Sequence, residues 1–455
     1  MIRVDLKPAD LGRSGWDAIL PERQPQPALE QDCSCDYLIV GAGFAGLSAA
    51  WRIRQLDARA RIIILEAQQV ASGPAGRNSG FMIDLPHALA SGSYEGDDSS
   101  DQRSIRMNRA AIAFAGDIAR TNDFPAEAFD PCGKINAAAS AVGSRHNTNY
   151  ARHLEALEEP FELLDASAMR AISGSDYYQG GLRTPGTAII QPALYVRCLA
   201  EALHRQEGCE LYENSALQQL SRAGDDWCAR TARGSVTAPR VILAVNGLIE
   251  TFGFYRGRLM HINLYASMTR ALDADEIAAL GGEPRWGFTP SDPIGSTLRR
   301  IDGSGDSGGG SRLVIRNRCT YDASLSLPAK TLGAIKPVHE RTFAARFPML
   351  RQVEMEYCWS GRLCLSRDDT WALGELQPGL FSACCQNGLG TTRGTIAGIV
   401  AAEMATQADN AGLEPSLVPD FEPQALPRRL FPEPFMTLGA RSVIRFREWQ
   451  AGKEL

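Results

Sequence analysis

The stretch CDYLIVGAGFAGLSAAWRIRQL, residues 35–56, restricts the fold more than any other part of the chain. Its apolar start reads as a buried strand, and FAGLSAAWRIRQL carries helical periodicity. Between them stands Gly41-x-Gly43-x-x-Gly46. A second apolar strand, RIIILEA, closes on Glu66, 20 residues beyond Gly46. This is a β-turn-α-β unit, and such continuous apolar strands suit a parallel sheet covered on both faces. Gly41 allows the tight turn, and Gly43 lets a pyrophosphate approach the backbone. Gly46 permits close helix–strand packing, and the helix N-terminus faces the phosphates. Glu66 is placed to accept hydrogen bonds from ribose hydroxyls. The spacing predicts a nucleotide site containing Gly41, Gly43, Phe44, Ala45, Gly46, Glu66 and Ala67. The alternative is a glycine-rich helix–strand contact without a ligand.

A second glycine-rich run, QNGLGTTRGTIAG, lies far away at residues 386–398. A chain of 455 residues exceeds one comfortable core, so two lobes are expected. CELYEN, RVILAV and GLFSACC are further buried-strand patterns, the last feeding the second glycine run. RLMHINLYASMTRAL alternates instead, with His261, Asn263 and Tyr265 on one face. Period 2 over that length predicts a half-buried antiparallel strand, with SRLVIRNRCTY (311–321) as its partner. Helices are expected over 104–120, 192–206 and 327–347. Residues 1–35 lack a clear period and read as an extension draped over the body. Residues 410–455 are proline-rich, then basic, and read as a surface wrap.

The formal charge of −6 argues against a nucleic-acid or anionic-membrane partner. The N-terminus lacks the basic-then-apolar order of a secretion signal, and the most apolar early segment is too short and glycine-broken to span a bilayer. The eleven cysteines are scattered without zinc-finger spacing, so no metal is expected and reduced thiols in a cytoplasmic protein are.

After Glu66 comes a second small-residue loop, ASGPAGRNSGFM, at 71–82. Here the chain resembles the D-amino acid oxidase / sarcosine oxidase / glycine oxidase family of FAD-dependent amine oxidoreductases, whose GASGRNGG-like loop follows the acidic strand. The resemblance continues in order through AIIQPALYVRCLAEAL, VILAVNGLIE, YCWSGRLCLSRDDTWALGEL and QNGLGTTRGTIAGIVAAEM, covering about residues 36–410. It implies FAD as cofactor, with Gly76, Arg77, Asn78, Ser79 and Gly80 along the pyrophosphate and flavin. Asn246, Gly361, Asn387, Gly388, Leu389, Gly390, Thr391 and Thr392 are implied as further cofactor contacts. The implied fold is α/β, a Rossmann-like FAD-binding domain with a discontinuous antiparallel-sheet (α+β) substrate domain. The expected layout is an extension over 1–35, the FAD-binding domain over 36–115, 185–255 and 360–410, the substrate domain over 116–184 and 256–359, and a tail over 411–455.

The implied reaction removes a hydride from a carbon next to nitrogen, and the resulting imine hydrolyses. A carboxylate on the substrate calls for arginine, whose fork binds both oxygens. Candidates are Arg316 and Arg318, read as sharing one face, and Arg362 in the family-like GR segment. His261 and Tyr265 are candidate pocket walls. Asp84 and His87 follow the second loop, where the sarcosine-oxidase branch supplies a substrate-binding arginine. That arginine is missing here, so Asp84 is a candidate for attracting a cationic amine. Residues 312–320 hold no lysine, whereas monomeric sarcosine oxidases use one over the flavin to activate O2. The acceptor is therefore O2 or another oxidant. Flavin attachment through Cys319 or another cysteine has no positive sign. Competing readings are an NAD(P)H-dependent flavin monooxygenase, though no second Rossmann-type run is present, and an FAD-bearing electron-relay subunit.

Overall fold

The computed structural model describes residues 1–4, 10–86, 98–303, 309–328, 330–406, 416–421 and 425–455. His87 lies outside them.

Tyr37–Val40 and Ile62–Leu65 are buried at every position, as expected of strands covered on both faces. They sit inside a six-stranded sheet ordered Cys209–Tyr212, Ile62–Leu65, Tyr37–Val40, Arg240–Leu243, Leu380–Cys384, Ala372–Gln377. The first five run parallel and the last is an antiparallel edge. Strands from the beginning, the middle and the end of the chain thus share one sheet. Helix Phe44–Leu56 leaves the first strand and packs on helix Thr392–Thr406. Two glycines set these distances. A Cβ on Gly46 would fall 1.8 Å from the Gly41 carbonyl oxygen, and one on Gly398 would fall 2.2 Å from that of Ala45.

A second sheet of eight strands completes the α/β arrangement. Its order is Met355–Ser366, Leu259–Thr269, Arg312–Tyr321, Thr297–Ile301, Trp286–Pro290, Lys134–Ala138, Gly180–Thr184, Glu162–Asp165. Pairing of Leu259–Thr269 with Met355–Ser366 runs from Thr269↔Met355 to Leu259↔Ser366, passing residue 360 without a break in sheet membership. The alternation read from the sequence is present with its burial inverted. His261, Asn263 and Tyr265 are buried, while Met260, Ile262 and Leu264 are half-buried. The Asn246–Phe252 turn covers His261 on the polar face.

Both termini depart from the sequence reading. Ile2–Arg3 and Asp32–Ser34 are the two edge strands of a five-stranded sheet, so the extension is built into the body. The basic tail carries a 17-residue helix, Phe435–Ala451, that was not expected. All eleven cysteines are free. Among the described residues no helix is long and apolar enough to cross a membrane, and no cluster of metal-binding side chains occurs.

His339 lies behind the large sheet. The Ser267 hydroxyl lies 2.8 Å from its Nδ1, and the Asn317 carbonyl 3.3 Å from Nε2. Burial lowers its pKa to about 4. The unfolded chain takes up this proton below about 6.5 and the folded chain only near 4, so folding stability falls as pH drops through that window. The shift corresponds to roughly 3 kcal/mol. Urea midpoints at pH 7 and pH 4.5 should differ less in His339→Asn than in the wild type. Equal differences would remove His339 from the acid sensitivity.

Candidate active site

One cleft, with a cavity volume of about 370 Å³, runs along the carboxyl ends of the parallel strands and under the antiparallel sheet. Pockets for drug-sized ligands span about 300–1,000 Å³, and this one falls in that range, its lining reaching from the Gly41 turn to the strand of Arg316.

At one end the turn Gly41–Ala45 meets Glu66 and Ala67. Gly41 has φ +105°, a conformation that favours glycine. A Cβ on Gly43 would meet only the Ala75 Cβ, at 3.6 Å, so the Gly43 backbone faces open space. The Glu66 carboxylate accepts the Ala42 and Gln68 N–H groups at 2.9 and 3.0 Å. Burial raises its pKa and these N–H groups oppose the rise. Gly46 lies behind the turn and does not line the cleft; its part is the packing distance already given.

The second loop lines the middle through Arg77, Asn78, Ser79 and Gly80. It is stitched in place. The Arg77 guanidinium donates to the carbonyls of Ser72, Leu11, Gly12 and Ser360 at 2.6–3.3 Å. Arg299 donates to the carbonyls of Ser79, Gly80 and Ile190. Gly76 is not a wall. It lets the loop fold on itself, since a Cβ there would fall 2.1 Å from the Ala71 oxygen.

The second glycine run divides its work. Asn387, Gly388, Leu389, Gly390 and Thr391 line the cleft just before helix Thr392–Thr406. Nothing lies within 4 Å of a Cβ placed on Gly390. Gly394 lines the cleft too and, with Gly398, lets the helix approach Phe44–Leu56. Thr392 is fully buried behind the wall, its hydroxyl without a partner. Asn246 and Gly361 complete the lining expected from the sequence.

A β-bulge sorts the arginines. Leu264 pairs with Cys319 but Tyr265 pairs with Asn317, so Arg318, with φ +63°, is the extra residue. Arg316 and Arg318 therefore do not share a face. Arg318 turns outward to Glu448 at 2.7 Å. Arg316 lines the cleft, and its Nε is buried with no hydrogen-bond partner. Burial lowers its pKa, with the Cys319 thiol pulling the other way. Arg362 also lines the cleft, and its Nη2 donates to the Leu325 carbonyl at 2.9 Å. Tyr265 lines it as expected, with its hydroxyl 2.6 Å from that of Thr320.

Two expectations are corrected. His261 lies behind the wall, its Nε2 2.7 Å from a Glu250 carboxylate oxygen. Asp84 is buried away from the cleft against Arg109, at 3.2 Å, and the Thr187 hydroxyl. Cys319 is not a lining residue, whereas Cys364 is.

Sequence reasoning missed Asp10. The extension brings its carboxyl to the cleft beside Arg77 and Arg362, with Oδ1 buried and unpartnered. Burial raises its pKa against those two cations. The Leu11 N–H donates to the Ser360 hydroxyl at 2.9 Å, and the Leu11 carbonyl accepts the Ser360 N–H at 2.9 Å. No local motif marks such a residue.

Comparison with known proteins bears on this geometry. A family described as FAD dependent oxidoreductase (DAO) matches residues 36–404. Gamma-glutamylputrescine oxidoreductase of Escherichia coli is 25% identical over 393 residues, covering 84% of this chain and 85% of that protein. Glycine oxidase from Geobacillus kaustophilus superposes with a TM-score of 0.68 at 18% identity, over 88% of this chain and 100% of its own. Iminodiacetate oxidase from Chelativorans sp. superposes with a TM-score of 0.63 at 15% identity, over 84% and 97%.

Proposed function

The chain belongs to the FAD dependent oxidoreductase (DAO) family, and on that footing we propose that it oxidises a C–N bond in an amino acid or secondary amine that carries a carboxylate. It is an FAD-dependent amine or amino-acid oxidoreductase. FAD, when bound, would supply the acceptor for a hydride from the carbon next to nitrogen.

The open backbone of Gly43 and the orphaned space at Gly390 fit the cofactor. Gly41–Ala45 would hold the pyrophosphate, with Glu66 on the ribose. Arg77, Asn78, Ser79 and Gly80 would form the middle of the cradle. Gly388–Thr391, at the positive end of helix Thr392–Thr406, would face the edge of the ring system where negative charge grows on reduction.

The observation that carries the substrate reading is Arg316, a half-buried side chain lining the cleft whose Nε is buried and unpartnered. A carboxylate there satisfies it. Asp10 and Arg362 lie beside each other in the same cleft. Asp10 would hold a substrate ammonium, and once that amine has lost its proton would orient the remaining N–H. Tyr265 would pack against the substrate body. The names of two relatives point the same way, since iminodiacetate is a carboxylate-bearing secondary amine and glycine an amino acid.

The test is the visible spectrum of the purified protein under anaerobic addition of N-methyl amino acids, D-amino acids, glycine, iminodiacetate and polyamine derivatives. A carboxylate-bearing amine should bleach the flavin band, and admitting air afterwards reports whether O2 restores it. Bleaching by NADPH alone, or by no amine, would sink the proposal.

A further inference from the structure

Among the described residues twelve large apolar side chains are exposed, and seven of them fall within residues 426–449. Five belong to helix Phe435–Ala451: Phe435, Leu438, Val443, Phe446 and Trp449, each 57% exposed or more. Of the 17 residues of this helix only Ala451 is buried. The helix touches the body through strand Arg312–Tyr321, where Glu448 meets Arg318, and the Glu433 carboxylate just before it accepts from the Tyr321 hydroxyl at 3.0 Å. Helices in proteins draw most of their stability from a buried apolar face, and this one leaves that face outside.

The pattern of the face says what covers it. Phe435, Leu438, Ser442, Phe446 and Trp449 are spaced 3, 4, 4 and 3 residues apart, so they share one side of the helix. The spacing reads the same in both directions about Ser442. We propose that this face is a two-fold interface on which the same helix of a second copy lies antiparallel, crossing at Ser442. In that arrangement Phe435 meets Trp449 of the second copy, Leu438 meets Phe446, and Ser442 meets its own counterpart. Small residues, Gly439 and Ser442, stand at the crossing, and large ones stand at both ends. Arg445 falls opposite Gly439 of the second copy, where the missing side chain leaves room for its stem. Arg441 falls opposite Val443. No arginine is set directly against its equivalent. A lipid surface would need an apolar face but no such symmetry, and this favours the second copy. Aromatic side chains present about 150–250 Å² each, so two copies of this stripe offer on the order of 1,000 Å², at the lower edge of specific interfaces.

The helix leads directly to a tail packed beside the cleft. The Ala139 N–H and the Ser140 hydroxyl donate to the Glu454 carboxylate at 3.0 and 2.6 Å, and the Leu455 carbonyl accepts from Asn317 Nδ2 at 3.2 Å. Asn317 adjoins Arg316. Pairing of the helices would therefore hold the tail that backs the strand carrying this cleft arginine. The inference stands independently of the substrate reading.

The experiment is sedimentation of the full-length flavin-loaded protein at micromolar concentration. The wild type should run at about twice the 49.3 kDa chain mass. Ser442→Arg should weaken self-association at least tenfold while the flavin spectrum and helical circular dichroism are retained. Under mild oxidation Ser442→Cys should give a cross-linked dimer well above the wild-type background. Leu438→Cys should not, because its equivalents lie about 12 Å apart along antiparallel axes. A wild-type monomer, or cross-linking by Leu438→Cys instead, overturns the proposal. So does a monomer that binds anionic phosphatidylserine vesicles through Trp449, which would assign the stripe to a lipid surface.

Discussion

Gly43→Val should give a folded protein that purifies without FAD. The position faces the cleft, and a Cβ there meets only Ala75, at 3.6 Å. The branched side chain would occupy the space where the pyrophosphate approaches the backbone, leaving strand and helix undisturbed. Losing two hydrogen bonds to a charged group costs roughly 3–6 kcal/mol, or about a hundredfold to ten-thousandfold in affinity. FAD titration followed by flavin fluorescence measures this directly, with circular dichroism to check folding. Gly46→Val is the informative contrast. Its side chain would run into the Gly41 carbonyl, so it should damage the fold itself. If Gly43→Val keeps full FAD occupancy, the pyrophosphate assignment is wrong.

Arg316→Met should raise the KM for the carboxylate substrate identified by anaerobic bleaching by about a hundredfold to ten-thousandfold, the range expected for two charge-assisted hydrogen bonds. The flavin spectrum should survive. Folding stability should hold or rise, because the wild type buries much of an unpaired cation that the methionine does not have. Arg316→Lys should recover only part of the loss, since an ammonium cannot reproduce the fork. An unchanged KM would remove Arg316 from substrate binding and would leave the cofactor assignment standing.

The sequence made the first nucleotide-binding unit legible because its determinants are local: strand, turn, helix and second strand all lie within residues 37–66. The second glycine run was harder, since one spacing serves two purposes. Gly388 and Gly390 line the cleft, Gly398 serves packing and Gly394 does both, and only the neighbouring helix distinguishes them. Arg316 and Arg318 look equivalent by alternation, and the bulge at Arg318 separates them. His261 was misplaced because a polar strand face suggested a lining, whereas Glu250 and the adjoining turn cover it. Asp10 was invisible because its position depends on hydrogen bonds that the neighbouring Leu11 backbone makes with Arg77 and Ser360, far along the chain. The C-terminal helix was read past because its proline-rich approach looked like surface wrap.

The cleft has walls from Val4 and Asp10 at one extreme of the sequence and from Gln386 to Gly394 at the other. On a ribosome these walls emerge in order, with most of the chain synthesised between them. A nascent chain that has completed the Gly41–Glu66 unit still lacks the strand Leu380–Cys384, two places along the sheet from Tyr37–Val40, and the loop that closes the ring-system end. Cofactor capture is thereby timed to late synthesis, and the glycine turn made first waits open for its opposite wall. A truncated product of an interrupted message would carry the fingerprint of a flavoprotein and lack the means to hold its flavin.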